Sequence, residues 1–321
     1  VKGDTLIATE FNNYFANIGQ NLASKIEAPK IPFTNYLKKV DSYMPFKSLT
    51  VNELKDAFFS LKANKSPGHD DINSNIIRKC FNELIDPLKF LFNLSLEEDV
   101  FPNDLKIAKV TPIFKQGNKA ELGNYRPISV LPCFSKVLER IMYNRFYTYL
   151  KENKILYSKQ FGFQSRHSTD HAILESVDQL YDSFEKNKYI IGIFIDLSKA
   201  FDTVNHSILL KKLEFSGVSG INLKWFKSYL SNRKQYISIN NFEKTNLLSI
   251  NCGVPQGSIL GPLLFLLYVN DLRHSSNLLE PVMFADDTNL FYSHQSISHL
   301  FAIANLELQK VQQWFILKKL S

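Results

Sequence analysis

The sequence has 321 residues, of which 45% are hydrophobic and 21% charged, and its formal net charge is +7. This composition argues against a disordered chain and is typical of one large or two smaller globular domains. The three cysteines are far apart and form no C-x-x-C pair, which excludes a readable zinc site or disulfide framework. Excess positive charge favours a polyanionic partner without setting the fold.

Helical periodicity marks the N-terminal part of the chain. Apolar residues over 7–22 recur at helical spacing and predict an amphipathic helix, followed by a linker around Pro29 and Pro32. Thr50 and Glu53 predict a capping box at the start of a second helix.

The next segments mix helices with a short strand. Helical segments are predicted over 76–96, with a break at Pro87, and a strand over 110–114. A polar, basic loop covers 115–123. The apolar stripe over 134–150 predicts a long amphipathic helix whose charged residues lie on a solvated face.

The C-terminal half contains more strands. The run over 189–197 is almost wholly apolar and predicts a strand buried on both faces. Helices are predicted over 205–213 and 223–230, and the runs 235–239 and 247–250 predict a hairpin.

The last segments begin with a glycine-rich turn at 254 that leads into an apolar helix reaching 271. Within it, the near-apolar run 259–269 is too short to span a bilayer. The segment 281–293 predicts two strands joined by an acidic turn, and 306–317 predicts a final helix. Strands mixed with helices without regular alternation predict an α+β fold.

Three aspartates are the strongest chemical candidates. Asp196 follows the apolar strand, and Asp286 and Asp287 form the tip of the predicted hairpin. Singly, an aspartate at a strand end or in a turn is commonly a cap or turn former. Together, three carboxylates from separate strands are suited to Mg²⁺ shared with substrate phosphates.

Two further clusters accompany the aspartates. The turn 253–262 contains glycines that permit close backbone approach to a ligand, although a lone turn of this kind usually just begins a helix. The loop from Lys115 to Arg126 carries cations that could hold phosphates, although alone it is more typical of a surface loop.

In this order, these clusters resemble the reverse transcriptases of non-LTR retrotransposons, particularly the jockey-like group. The resemblance covers roughly residues 50 to 321. The motifs that carry it are 65–68 (KSPG), 124–129 (NYRPIS), 160–163 (QFGF) with 167–169 (HST), 194–204 (FIDLSKAFDTV), 253–262 (GVPQGSILGP) and 284–287 (FADD).

The resemblance implies the fingers and palm of a right-hand polymerase, the palm being a small antiparallel sheet packed on helices. It implies an N-terminal extension helix and linker over 1–48, fingers over 49–180, and a palm over 181–321 that ends before the thumb. The implied activity is RNA-directed DNA synthesis with two Mg²⁺ ions, for which Mn²⁺ could substitute.

The resemblance also assigns site residues. Asp196, Asp286 and Asp287 would be catalytic and bind the metal together with the backbone carbonyl of Leu197. The residues expected to contact the incoming deoxynucleotide are Lys115, Arg126, Lys199, Ala200, Phe201, Gln256 and Gly257. Among these, Phe201 matches the position that screens the sugar 2′ position against ribonucleotides.

Two positions depart from the family pattern. Asp71 stands where glycine is usual, so a positive φ there would strain the turn. Phe284 stands where tyrosine is frequent. The chain ends at Ser321 inside the next motif, so we expect a fragment of a larger protein, with an endonuclease domain upstream, and the fragment alone could be inactive.

The implied partners are an RNA template, a DNA primer, deoxynucleoside triphosphates and the RNA of the element, with no membrane. The implied localisation is intracellular, with ribonucleoprotein assembly in the cytoplasm and integration in the nucleus. The alternatives are a decayed or domesticated copy that only binds RNA, a group II intron-like reverse transcriptase, and an RNA-dependent RNA polymerase, which Phe201 disfavours.

Overall fold

The computed structural model describes residues 2–26, 32–63, 65–239 and 243–320. Of the linker predicted around Pro29 and Pro32, Pro29 lies outside the described residues and Pro32 within them. Among the described residues the α-helices are α1 (Lys2–Ser24), α2 (Val51–Phe59), α3 (Ser74–Lys79), α4 (Phe81–Glu97), α5 (Cys133–Glu152), α6 (Thr169–Glu185), α7 (His206–Phe215), α8 (Gly220–Leu230), α9 (Leu260–Val269) and α10 (Ile297–Lys318). The strands are β1 (Ile107–Phe114), β2 (Tyr125–Val130), β3 (Tyr189–Ile195), β4 (Arg233–Ile239), β5 (Glu243–Lys244), β6 (Leu248–Ile250), β7 (Glu280–Phe284) and β8 (Asp287–His294).

The first sheet has the strand order β2-β1-β4-β5, with β6 also paired to β4. Strands β1 and β2 form an antiparallel hairpin, whereas β1 and β4 run parallel. The antiparallel pairing of β4 with β6 confirms the hairpin predicted from 235–239 and 247–250. Helix α1 packs against β4 and β6, so the N-terminal helix is part of this layer.

The second sheet is small and antiparallel, with the order β3-β8-β7. Strands β7 and β8 form the predicted hairpin with the acidic turn, and helices α6 and α10 pack against the sheet. The final helix, predicted over 306–317, begins earlier, at Ile297. Small sheets packed on helices confirm the α+β prediction and match the fingers and palm of a polymerase.

Strand β3 is not buried on both faces, so that prediction was wrong. Its residues alternate between half-buried and exposed, and Phe194 is 75% exposed. The reason is unequal cover of its two faces: Ile193 and Ile195 pack against the main core, whereas the face that carries Phe194 is largely exposed. Composition does not tell a strand covered on both faces from a strand covered on one face when both are apolar.

The break predicted at Pro87 was also wrong. Helix α4 runs through Pro87, and the interruption lies at Cys80, between α3 and α4. Proline removes the hydrogen bond to the carbonyl four residues earlier, at Glu83. Glu83 is exposed, so water can bond that carbonyl and the helix continues.

Helix α9 forms the centre of the main hydrophobic core, and almost all its residues are buried. A helix that is apolar all round requires such surroundings. None of the described helices is long and apolar enough to cross a membrane.

The capping box at Thr50 and Glu53 is present at the start of α2. Arg145 of α5 binds it, because its Nε lies 2.8 Å from Glu53 Oε1 and its guanidinium also donates to the carbonyls of Lys47 and Ser48. The solvated face predicted for the charges of this helix was therefore wrong for Arg145, which fastens α2 to α5.

Candidate active site

An open cleft of about 580 Å³ is bordered by the β1–β2 hairpin, the turn after β3, the turn before α9 and the β7–β8 hairpin. Residues distant in sequence meet on its wall. The predicted site residues on this wall are Lys115, Arg126, Asp196, Leu197, Lys199, Ala200, Phe201, Gln256, Gly257 and Asp286. Asp287 is the predicted site residue that does not line the cleft.

The candidate carboxylates sit at the ends of neighbouring strands. Asp196 directly follows β3 and is exposed, whereas Asp286 lies in the β7–β8 turn and is partly buried. Asp287 begins β8, opposite Phe284, with an exposed side chain. Burial raises the pKa of Asp286, and the negative charges of Asp287 and Asp196 raise it further. Asp286 therefore lies close enough to both of the other carboxylates to be repelled by them.

This donor set suits a hard divalent cation. Among the described residues, no group of three or more His, Cys, Asp or Glu side chains is arranged to hold a metal ion by itself. Asp196 and Asp286 nevertheless face one cleft, beside Leu197, and a cation there would relieve the repulsion that raises the pKa of Asp286. The ligand roles of these residues stay predictions.

Backbone hydrogen bonds join the turn after β3 to the turn before α9. The N–H of Gly253 donates to the carbonyl of Val204, and that of Val254 to the carbonyl of Phe201. Gly257 has a φ of +119°, and a Cβ there would lie 2.5 Å from the carbonyl oxygen of Ser129 in β2. Glycine is therefore required for the turn to reach the first sheet.

The side chain of Gln256, a residue that lines the cleft, binds Asp202. Its Nε2 donates to both carboxylate oxygens of Asp202, at 3.0 and 2.9 Å. Burial raises the pKa of Asp202 to about 6, although the bond from Gln256 and the charge of Lys199 oppose the rise. A Cβ on Gly19 of α1 would overlap the carbonyl oxygen of Asp202, so the N-terminal helix packs directly against this residue.

Phe201 stands between the cleft and the core. Its ring stacks on Phe265 of α9 with centroids 4.7 Å apart, and Phe163 meets it edge to face at 5.8 Å. These contacts hold the ring in one place, where it lines the cleft.

The basic residues form a positive cluster on one wall of the cleft. Lys115 and Arg126 are exposed at the end of β1 and in β2. Lys199 Nζ donates to the carbonyls of Gly123 and Tyr125, both at 2.8 Å. Burial lowers the pKa of Lys199, as do the charges of Lys115 and Arg126, while Asp202 opposes the change.

The sequence analysis assigned no site role to three residues that support the site: Asp202, Gln160 and Glu139. Glu139 of α5 is fully buried and accepts hydrogen bonds from the N–H groups of Ile259 and Leu260, at 2.7 and 3.1 Å. It thereby caps the start of α9, although burial raises its pKa. The sequence did contain a sign of this burial, because Glu139 stands among the apolar residues of the helix predicted over 134–150.

Comparison with known proteins gives the family. Residues 113–321 match the family described as reverse transcriptase (RNA-dependent DNA polymerase). The chain is 31% identical over 281 residues to the RNA-directed DNA polymerase from mobile element jockey of Drosophila melanogaster, covering 84% of this chain and 30% of the relative. It is 33% identical over 261 residues to the probable RNA-directed DNA polymerase from transposon BS of the same fly, covering 78% of this chain and 28% of the relative. The chain thus spans less than a third of the length of these relatives. The chain belongs to the reverse transcriptase family, alongside the polymerases of jockey-like non-LTR retrotransposons.

Proposed function

We propose that this chain is the polymerase core of a retrotransposon protein and adds deoxynucleotides to a primer on an RNA template. The observation that carries this proposal is the cleft, which gathers two carboxylates, a basic wall and the Phe201 ring around one open space. Phosphoryl transfer needs positioning and charge neutralisation, and these residue types supply both.

The carboxylates of Asp196, Asp286 and Asp287, with the carbonyl of Leu197, would hold the metal. Two Mg²⁺ ions, with Mn²⁺ as a substitute, would neutralise charge on the attacking and leaving oxygens when bound. The exposed Asp196 and the partly buried Asp286 offer oxygens to the same cleft, which supports this assignment.

The basic residues of the cleft would bind the incoming nucleotide. Arg126 and Lys115 attract the triphosphate, and the Phe201 ring excludes a 2′ hydroxyl by its bulk. Gln256 and Gly257, together with Ala200, border the pocket for the nucleotide and template. The ammonium of Lys199 is held by the carbonyls of Gly123 and Tyr125, so we assign it the task of fixing the strand that carries Arg126.

The wider assignments rest on the family. Fingers over 49–180 and palm over 181–321 would follow the extension over 1–48. The RNA of the element, a DNA primer and an upstream endonuclease domain would be partners of the whole protein. It would assemble with RNA in the cytoplasm and act in the nucleus.

Primer extension on an RNA template tests the proposal. The parent chain, Asp286→Asn and Asp86→Asn are compared at saturating Mg²⁺ and deoxynucleotides. Losing a metal-binding carboxylate removes several kcal/mol of transition-state stabilisation, so Asp286→Asn should extend at least about 100-fold more slowly. Asp86 is exposed on α4 and serves as the control, which should retain the parent rate.

The outcomes separate catalysis from binding alone. Extension by the parent and by Asp86→Asn but not by Asp286→Asn supports the polymerase. If no chain extends, although each binds primer–template with a steep salt dependence, this chain is a nucleic-acid-binding module without activity of its own.

A further inference from the structure

The turn that carries Asp286 has an unusual backbone. Ala285, immediately before it, has a φ of +59°. This left-handed conformation is unfavourable for a residue with a Cβ, and surrounding contacts must therefore maintain it. The direction of the Asp286 side chain depends on those contacts, because the two residues share a peptide plane.

One side chain binds both backbone polar groups of Ala285. Gln160 is 2% exposed, and its Oε1 accepts from the N–H of Ala285 at 2.9 Å and from that of Gly162 at 2.8 Å. Its Nε2 donates to the carbonyl of Ala285 at 3.2 Å. This pattern uses a donor and an acceptor on two different atoms of one side chain, and the amide of a glutamine supplies both without charge.

The backbone around Gln160 lies against the same hairpin. The N–H of Met283 in β7 donates to the carbonyl of Lys159 at 2.9 Å, and the N–H of Phe161 donates to the carbonyl of Met283 at 2.8 Å. A Cβ on Gly162 would overlap the backbone nitrogen of Ala285. The segment 159–162 therefore extends the second sheet beyond β7 and ends against the turn.

We propose that Gln160 is a positioning residue for the divalent cation. Through the backbone of Ala285 it fixes the direction of the Asp286 carboxylate, and it thereby sets the affinity of the cleft for the ion. The inference rests on the proposed function, because that function assigns Asp286 to the metal. A residue that only filled the core would not need to bond both polar groups of the turn.

The test measures Mn²⁺ binding directly, by the electron paramagnetic resonance signal of the free ion. It compares the parent chain with Gln160→Met, which keeps the volume but loses the hydrogen bonds. Loss of a residue that orients a metal ligand typically weakens binding about 10-fold or more, and this is the expected change in Kd for Gln160→Met. Asp286→Asn, measured in parallel, identifies the ion bound at this site.

A matched control separates positioning from general destabilisation. Asn222 is also buried, and its Nδ2 donates to the carbonyl of Met44 at 3.0 Å. Asn222→Leu should therefore lose a buried amide hydrogen bond yet bind Mn²⁺ like the parent. In primer extension, Gln160→Met should need about 10-fold more Mg²⁺ for half-maximal rate and recover at excess Mg²⁺, while its KM for deoxynucleotides stays within about twofold.

Three results would overturn the proposal: an unchanged Kd in Gln160→Met, an equal loss in Asn222→Leu, or a parent chain that binds no Mn²⁺ at this site. A parent chain that binds Mn²⁺ but extends no primer would count against the proposed function alone. In that case the Mn²⁺ affinities still decide whether Gln160 positions the ligand.

Discussion

The carboxyl group of Asp202 illustrates how burial changes the chemistry of a single residue beside the cleft. Its pKa is raised to about 6, above the ordinary value of 3.8, because burial disfavours the charged form. The folded protein therefore holds the proton more tightly than the unfolded chain does. The contribution of the Asp202 carboxyl group to the free energy of unfolding is fully present below about pH 4 and is lost as the pH rises through about 6.

Replacing Asp202 with asparagine should remove this pH dependence. Asparagine keeps an oxygen for Gln256 but carries no charge. The difference between the free energies of unfolding of the variant and of the parent should therefore increase in favour of the variant as the pH rises from 4 to 7.5. This increase should be at most about 3 kcal/mol, which is the free energy that corresponds to the difference between a pKa of about 6 in the folded protein and 3.8 in the unfolded chain. Urea unfolding of both proteins at several pH values measures it, and a difference that stays constant with pH would contradict the assignment.

The sequence allowed some site residues to be predicted and not others, for a physical reason. Asp196 and Asp286 were found because their carboxylates follow apolar strands, a local pattern. The burial of Asp202 depends on Gly19 of a helix far away in sequence, and local composition contains no signal for that contact. Gln160 was found only as part of a motif, since its partner Ala285 is equally remote.

At the scale of elements, the sequence predicted correctly the features whose contacts join residues close together in the chain. The capping box of α2 and the β7–β8 hairpin each form within a few residues, and both were predicted. The exposed face of β3 and the uninterrupted course of α4 through Pro87 depend on what surrounds the element. Packing determines which face of β3 is exposed, and access to water allows α4 to continue through Pro87.

Helix α1 offers a test of element packing, because it contains two glycines in different surroundings. A Cβ on Gly3 would meet nothing within 4 Å, whereas one on Gly19 would overlap the carbonyl of Asp202. Alanine favours a helix over glycine by up to about 1 kcal/mol, so Gly3→Ala should be neutral or stabilising. Gly19→Ala should instead destabilise by about 1–3 kcal/mol, because the helix must shift away from the cleft.

Urea unfolding of the two variants, with primer extension at the same temperature, measures both effects. We expect Gly19→Ala to slow extension, since the shift displaces Asp202 and with it Gln256. If both alanine variants were equally stable and active, the contact of α1 with Asp202 would not contribute to the geometry of the site.

At the scale of the whole molecule, a buried cluster of charges connects its two ends. Asp271 binds Lys212 of α7 and Lys318 of α10, the latter at 2.8 Å, and each of the three is less than a tenth exposed. Lys318 Nζ also donates to the carbonyl of Phe33, near the N-terminal part of the chain, at 3.2 Å. Burial raises the pKa of Asp271, but the two ammonium groups outweigh this and hold it below its usual value.

Removing the charge of Asp271 should therefore destabilise the entire chain. Asp271→Asn keeps the size of the side chain but leaves two ammonium groups buried without their counter-ion, which should lower the free energy of unfolding by about 3–5 kcal/mol. The control is Glu214→Gln, because Glu214 pairs with Lys211 of the same helix at 2.8 Å while both side chains are more than 40% exposed. Glu214→Gln should lower the free energy of unfolding by less than about 1 kcal/mol, since water already screens this ion pair.

Urea unfolding monitored by circular dichroism and by tryptophan fluorescence distinguishes a global effect from a local one. Trp314 lies in α10 beside both lysines, and replacing Trp225 of α8 with phenylalanine in every variant makes the fluorescence report on Trp314 alone. Circular dichroism reports on all the helices. If the cluster joins α10 to the rest of the core, both signals should shift together in Asp271→Asn. A fluorescence transition that shifts alone would mean that α10 unfolds separately from the other helices.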